Sequence, residues 1–173
     1  MRRFPKLSEQ LELRARPLRD KWDTFGPGLL HDVGRQVWDE NPPSDWWQPR
    51  IKAMMVQPMR GGDGGYDAES GRFWLEAMLT DVDPAVPEVL RAAWLITRMA
   101  IESYTRGSSG DLALSAPWKL VAIPLVLTAA ANLEVIQGGK LPIARAMELW
   151  QYSDARLAST IDQWWTDYRR NPR

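Results

Sequence analysis

Between Ile51 and Tyr104 the chain changes its hydrophobic period from two to about three and a half, and this change constrains the fold more than any other feature. In IKAMMVQP (51–58), Ile51, Ala53 and Met55 alternate with Lys52, Met54 and Val56. In RFWLEAMLT (72–80), Phe73, Leu75, Ala77 and Leu79 share one face, and Arg72, Trp74, Glu76 and Met78 share the other. Period two is the pattern of a half-buried strand. After the turn residues of TDVDP the spacing becomes helical. Val86, Leu90, Ala93, Thr97, Ile101 and Tyr104 form one stripe, and Glu88, Arg91, Arg98 and Glu102 form an opposite one that reads as wet. The segment therefore predicts an antiparallel β-hairpin (51–58 and 72–80) with a long glycine-rich loop, followed by a helix, as an organising unit over 51–105. A two-stranded hairpin is marginal alone and has to lie on helices.

The flanks supply those helices. Ser8 is placed to cap a first helix, Pro17 to open a second short one, and Gly26-Pro27-Gly28 to stop it before a third with Leu30, Val33 and Val37 on its inner face. Asn41 to Asp45, with two adjacent prolines, breaks that helix. Beyond the 51–105 unit, Arg106–Asp111 reads as a connection. Leu120 to Leu127 is apolar all round, which predicts a helix at the centre of the bundle, kinked or split at Pro124. Ile143, Met147 and Trp150 mark another helix. Leu157, Ile161, Trp164, Trp165 and Tyr168 mark the inward face of a last one, capped by Ser153 or Asp154. The expected fold is α+β and helix-dominated, with five or six helices around one hairpin in a single domain, 1–173.

Composition removes several functions. Lys plus Arg (22) balances Asp plus Glu (22), so no excess positive field favours nucleic acid or an anionic membrane. No apolar run reaches the ~20 residues of a membrane helix, and no apolar stretch follows the basic start, so the expectation is a soluble, cytoplasmic protein. There is no cysteine and one histidine, His31, which leaves no zinc or thiolate site to build; no metal or cofactor is expected. Small zinc peptidases also set a hairpin beside a helix, but theirs carries H-E-x-x-H. Here that helix has Glu88 and Glu102 and no histidine, which excludes an active enzyme of that kind. His31 reads as a boundary residue packing on tryptophan.

The candidate binding residues fall in three places. The loop from Met59 to Gly71 carries five glycines and the set Asp63, Tyr66, Asp67 and Glu69. Its length suits a functional loop or a mobile hairpin tip, and its acids do not follow the calcium-loop spacing. Glu76 lies mid-strand between Trp74 and Met78. It is either desolvated, with the raised pKa of a general acid, or exposed opposite Lys52 or Arg72. Asp81 and Asp83 stand where a strand gives way to a helix and read as caps. Trp46-Trp47 is a paired aromatic in a proline-rich connection. Its rings either lie over the open side of the hairpin or anchor a sugar, a base or a partner chain.

Three functions fit. The leading one is a non-enzymatic interaction module that binds a protein partner, or a second copy of itself, through the hairpin and the tryptophan-rich surface. The second is a carboxylate-based enzyme using Glu76 and one of Asp63, Asp67, Asp81 or Asp83. The third is a small-ligand or sugar-binding domain built on the tryptophans.

Overall fold

A computed structural model of the chain describes residues 6–39, 42–57, 64–107, 118–151 and 154–170. In chain order its elements are α1 (Leu7–Trp38), β1 (Lys52–Val56), β2 (Gly65–Asp67), β3 (Arg72–Glu76), α2 (Glu88–Gly107), α3 (Trp118–Asn132), α4 (Ile143–Leu149) and α5 (Ala155–Arg170). The fold is α+β and helix-dominated.

The expected antiparallel hairpin of 51–58 and 72–80 is not what forms. β1 and β3 pair in parallel, Lys52 opposite Arg72 and Val56 opposite Glu76, in a sheet ordered β1-β3-β2. The hairpin is β2–β3 instead, with Tyr66 opposite Phe73. Parallel neighbours need a crossover of about a dozen residues or more, and residues 57–71 are long enough to supply one and a third strand besides. Local chemistry fixes the turn at 68–71. Asp67 Oδ1 accepts from the backbone N–H of Glu69 and Ser70, and Gly71 takes φ +61°. A Cβ on Gly71 would lie 2.5 Å from Gln48 Oε1 and 2.8 Å from the Arg50 carbonyl oxygen, so only glycine fits beside the entry to β1.

α1 corrects a second expectation. It runs unbroken through Pro17 and through Gly26-Pro27-Gly28, and its N-cap is Lys6 rather than Ser8. A helical proline forfeits one backbone hydrogen bond and crowds the preceding turn, at about 3 kcal/mol. Burial of Ala15, Leu29 and Val33 against the rest of the core opposes that cost. Gly26 is not a break. The Trp22 indole lies across it, and a Cβ there would come within 2.5 Å of Trp22 Cδ2.

α2 is the axis of the molecule. It packs on α1, α3, β2 and β3, and every residue from Val86 to Thr97 is buried. The stripe read as wet therefore fails at its first two members, because Glu88 and Arg91 are buried. They survive as a pair. Arg91 Nε lies 3.2 Å from Glu88 Oε2, and Arg91 Nη2 donates to Glu88 Oε1 and to the Leu149 carbonyl. α3 is buried as its all-apolar run requires, and it continues through Pro124 as one helix. α4 buries Ile143 and Met147, and the Trp150 ring that follows stacks on Trp94 at 4.7 Å. Asp154 Oδ1 caps α5 by accepting from the N–H groups of Arg156 and Leu157. On α5 Ile161 and Trp165 face inward as expected, whereas Trp164 and Tyr168 are more than two-fifths exposed.

Candidate functional site

The last turns of α2 present two opposite faces, and each borders a concavity. Arg98, Glu102 and Arg106, four residues apart, face β2. Ile101, Tyr104 and Thr105 face α1, α3 and α5.

On the β2 side lies an open, polar cleft of about 590 Å³. It gathers three of the sequence candidates, Tyr66, Asp67 and Glu69, with Trp74 and the three α2 residues. Gly64, at φ +72°, and Gly65 make this possible. A Cβ on Gly65 would sit 2.4 Å from the Trp74 ring, and one on Gly64 would sit 2.7 Å from the Trp74 carbonyl oxygen. The Tyr66 hydroxyl donates to Glu102 Oε2 at 2.6 Å, and Arg106 bridges Glu102 and Glu69. Desolvation, reinforced by that bond to Glu102, pushes the Tyr66 phenol up to about 12. The Arg98 guanidinium lies 4.9 Å from the Tyr66 ring centre. Asp67 is spent on its own turn, and the Ser70 hydroxyl and N–H hold its carboxyl below the usual range. The cleft is thus internally neutralised, pair by pair. Asp63 lies outside the described residues.

The other acids do not join this group. Glu76 ends β3, half-buried, opposite Val56; Lys52 stands at the far end of the ladder, so the cross-strand pairing expected for Glu76 does not occur. The carboxyl that burial raises belongs to Glu88, with the charges of Asp81 and Glu76 adding to the effect and Arg91 opposing it. Asp81 accepts from the Glu88 N–H and pairs with Lys21. Asp83 accepts from the Ala85 N–H and pairs with Arg145 at 2.6 Å. Both aspartates therefore order the entry to α2. Among the described residues no three His, Cys, Asp or Glu side chains group as metal ligands.

The second concavity is the better-formed one. It has a volume of about 510 Å³ and is walled by the end of α1, by Trp46, and by α2, α3 and α5. Trp46 is 3% exposed and does not reach the surface. It meets Trp38 at 5.4 Å, Trp47 at 5.6 Å and Tyr104 at 5.7 Å between ring centres, all edge-on. Trp47 is half-buried beside it, where Gly34 leaves room for Pro42 and the Trp47 ring. From α5, Tyr168 stacks on Trp164 and Trp165 at 5.8 and 5.5 Å. The Trp165 indole N–H donates to Thr128 Oγ1. The indole N–H groups of Trp38 and Trp46 and the Gln36 side-chain oxygen are buried and have no partner among the described residues. Of this wall only Trp46 and Trp47 stood out in the sequence as binding candidates. Trp38, Tyr104, Trp164, Trp165 and Tyr168 looked like ordinary core on separate helices, and their convergence is a tertiary fact.

Comparisons with protein-family models, with curated proteins and with solved structures return no match for this chain. Among the described residues no helix is long and apolar enough to cross a membrane.

Proposed function

We propose that this protein is a non-enzymatic binding module that takes a small apolar ligand into the aromatic pocket. The observation that carries the reading is a concavity of about 510 Å³, within the usual 300–1,000 Å³ range of ligand sites, walled by six aromatic rings. A carboxylate enzyme fits less well, because Asp67, Asp81 and Asp83 are each engaged by backbone N–H groups and counter-charges. The test is a naphthalene titration of protein labelled with 5-fluorotryptophan, followed by fluorine NMR. Signals from Trp38, Trp46, Trp164 and Trp165 should move, and those of Trp94 and Trp150 should not. Movement confined to the latter pair, or none at all, refutes the reading.

Self-association through the sheet is the second reading. It is supported by the position of β1 at a free edge with Lys52 and Ala53 exposed, where another strand can add. Light scattering that returns 19.8 kDa at every concentration would remove it.

A further inference from the structure

Each concavity, charged group and exposed aromatic surface suggests a different partner, and the aromatic pocket carries the argument furthest. The polar cleft at Tyr66 has its charges paired internally, and the Glu88–Arg91 pair is packed into the core. The pocket alone combines volume with unspent hydrogen-bonding capacity.

Its lining contains no Lys, Arg, His, Asp or Glu. A ligand carboxylate or ammonium inside it would lose its water and meet no opposite charge, a penalty worth a hundredfold or more in affinity by order of magnitude. Yet the lining is not purely apolar. Buried indole N–H groups normally find an acceptor, as Trp165 does in Thr128. Trp38 and Trp46, with ring centres 5.4 Å apart, keep two donors without a partner among the described residues. Gln36 adds an acceptor. Its amide nitrogen is committed to Asp32 Oδ2 at 2.9 Å and the Leu125 carbonyl at 3.3 Å, which fixes the group and leaves its oxygen buried and unpaired. Donors and an acceptor thus lie along one wall of an otherwise apolar, aromatic chamber.

We infer that the pocket's ligand is an uncharged molecule with a flat apolar body and a head that both accepts and donates hydrogen bonds, such as a carboxamide. The head accepts from the Trp38 and Trp46 indoles and donates to the Gln36 oxygen, while the body lies against Trp164, Trp165 and Tyr168. This inference rests on the pocket being a ligand site, as proposed above.

Calorimetric titration with four probes of one shape separates the two claims: naphthalene, 2-naphthamide, 2-naphthoate and 2-naphthylmethylammonium. The amide should bind about fivefold to tenfold more tightly than naphthalene, the gain of one or two net hydrogen bonds. It should exceed both charged probes by about a hundredfold. Trp46→Phe and Trp38→Phe should each remove the preference for the amide and leave naphthalene binding nearly unchanged. Should Trp46→Phe not fold, the wild-type indole proton spectrum serves, because the amide should shift the Trp38 and Trp46 N–H resonances downfield and naphthalene should not. Naphthoate binding as tightly as the amide, or naphthalene doing so, overturns the inference while the pocket stands. Failure of all four probes overturns the pocket reading itself.

Discussion

Gly26 offers a sharp test of how α1 is built, because two effects oppose each other at one atom. The residue is helical, so replacing it with alanine should gain about 1 kcal/mol of helix propensity. The new Cβ, however, would lie 2.5, 2.6 and 3.0 Å from three carbons of the Trp22 indole, far inside the ~3.5–4.0 Å of a normal carbon contact. Overpacking of this kind costs about 1–3 kcal/mol. The Trp22 ring borders a cavity of about 360 Å³ between α1 and the sheet, so it can yield part of the way, which places the cost in the lower half of that range. Gly26→Ala should therefore leave the protein unchanged or less stable by about 1 kcal/mol. In a Trp22→Ala background the clash is gone, and the same substitution should stabilise by about 1 kcal/mol. The quantity to measure is the difference between backgrounds, about 1–2 kcal/mol, from urea unfolding of the four proteins of the cycle. A glycine that ended a helix in a left-handed conformation would make alanine destabilising in both backgrounds, by similar amounts. That result, or a coupling near zero, would refute the continuous helix.

Three further outcomes follow from the buried and bridging charges. Arg91→Met leaves Glu88 buried without its counter-charge and should cost about 3–5 kcal/mol at pH 8, and less at pH 5, where Glu88 can take up a proton; urea midpoints at the two pH values check it. The raised Glu88 carboxyl contributes stability that is fully present below its ordinary 4.5 and is lost as pH rises through its folded value, so Glu88→Gln should flatten the stability profile of the wild type over that window. The lowered carboxyls of Asp67 and Asp83 act with the opposite sign, losing their contribution as pH falls below 3.8. Tyr66→Phe removes the 2.6 Å bond to Glu102 and, half-exposed as it is, should cost about 1 kcal/mol at pH 8. The same variant should lose one phenol ionisation near 12 in an ultraviolet titration.

Patterns of local period were legible in the sequence, and pairings were not. The strands at 52–56 and 72–76 and the helix from Glu88 followed from alternation and stripe alone. Their mutual direction did not, because the β2 segment that makes the crossover is three residues long, too short to show a period. Gly26-Pro27-Gly28 misled for a related reason. Glycine and proline mark a break when only the backbone is considered, whereas here the glycine accommodates a ring and tertiary burial outweighs the lost hydrogen bond. Glu88 and Arg91 read as wet because charge implies water, and only their mutual pairing inside a crowded core permits burial. For the site, Tyr66, Asp67 and Glu69 did meet in one cleft, as a short loop makes nearly inevitable. The aromatic pocket draws on residues from position 36 to position 168, and no local window contains that distance.

The most direct test of the pocket is a crystal of the protein under xenon pressure, since xenon enters apolar cavities without demanding any particular hydrogen bond. The account predicts an anomalous peak bounded by Trp46, Tyr104 and Trp165, in a space that no side chain occupies. A pocket filled by protein atoms, with xenon absent there or confined to the smaller cavity beside Trp22, would contradict it.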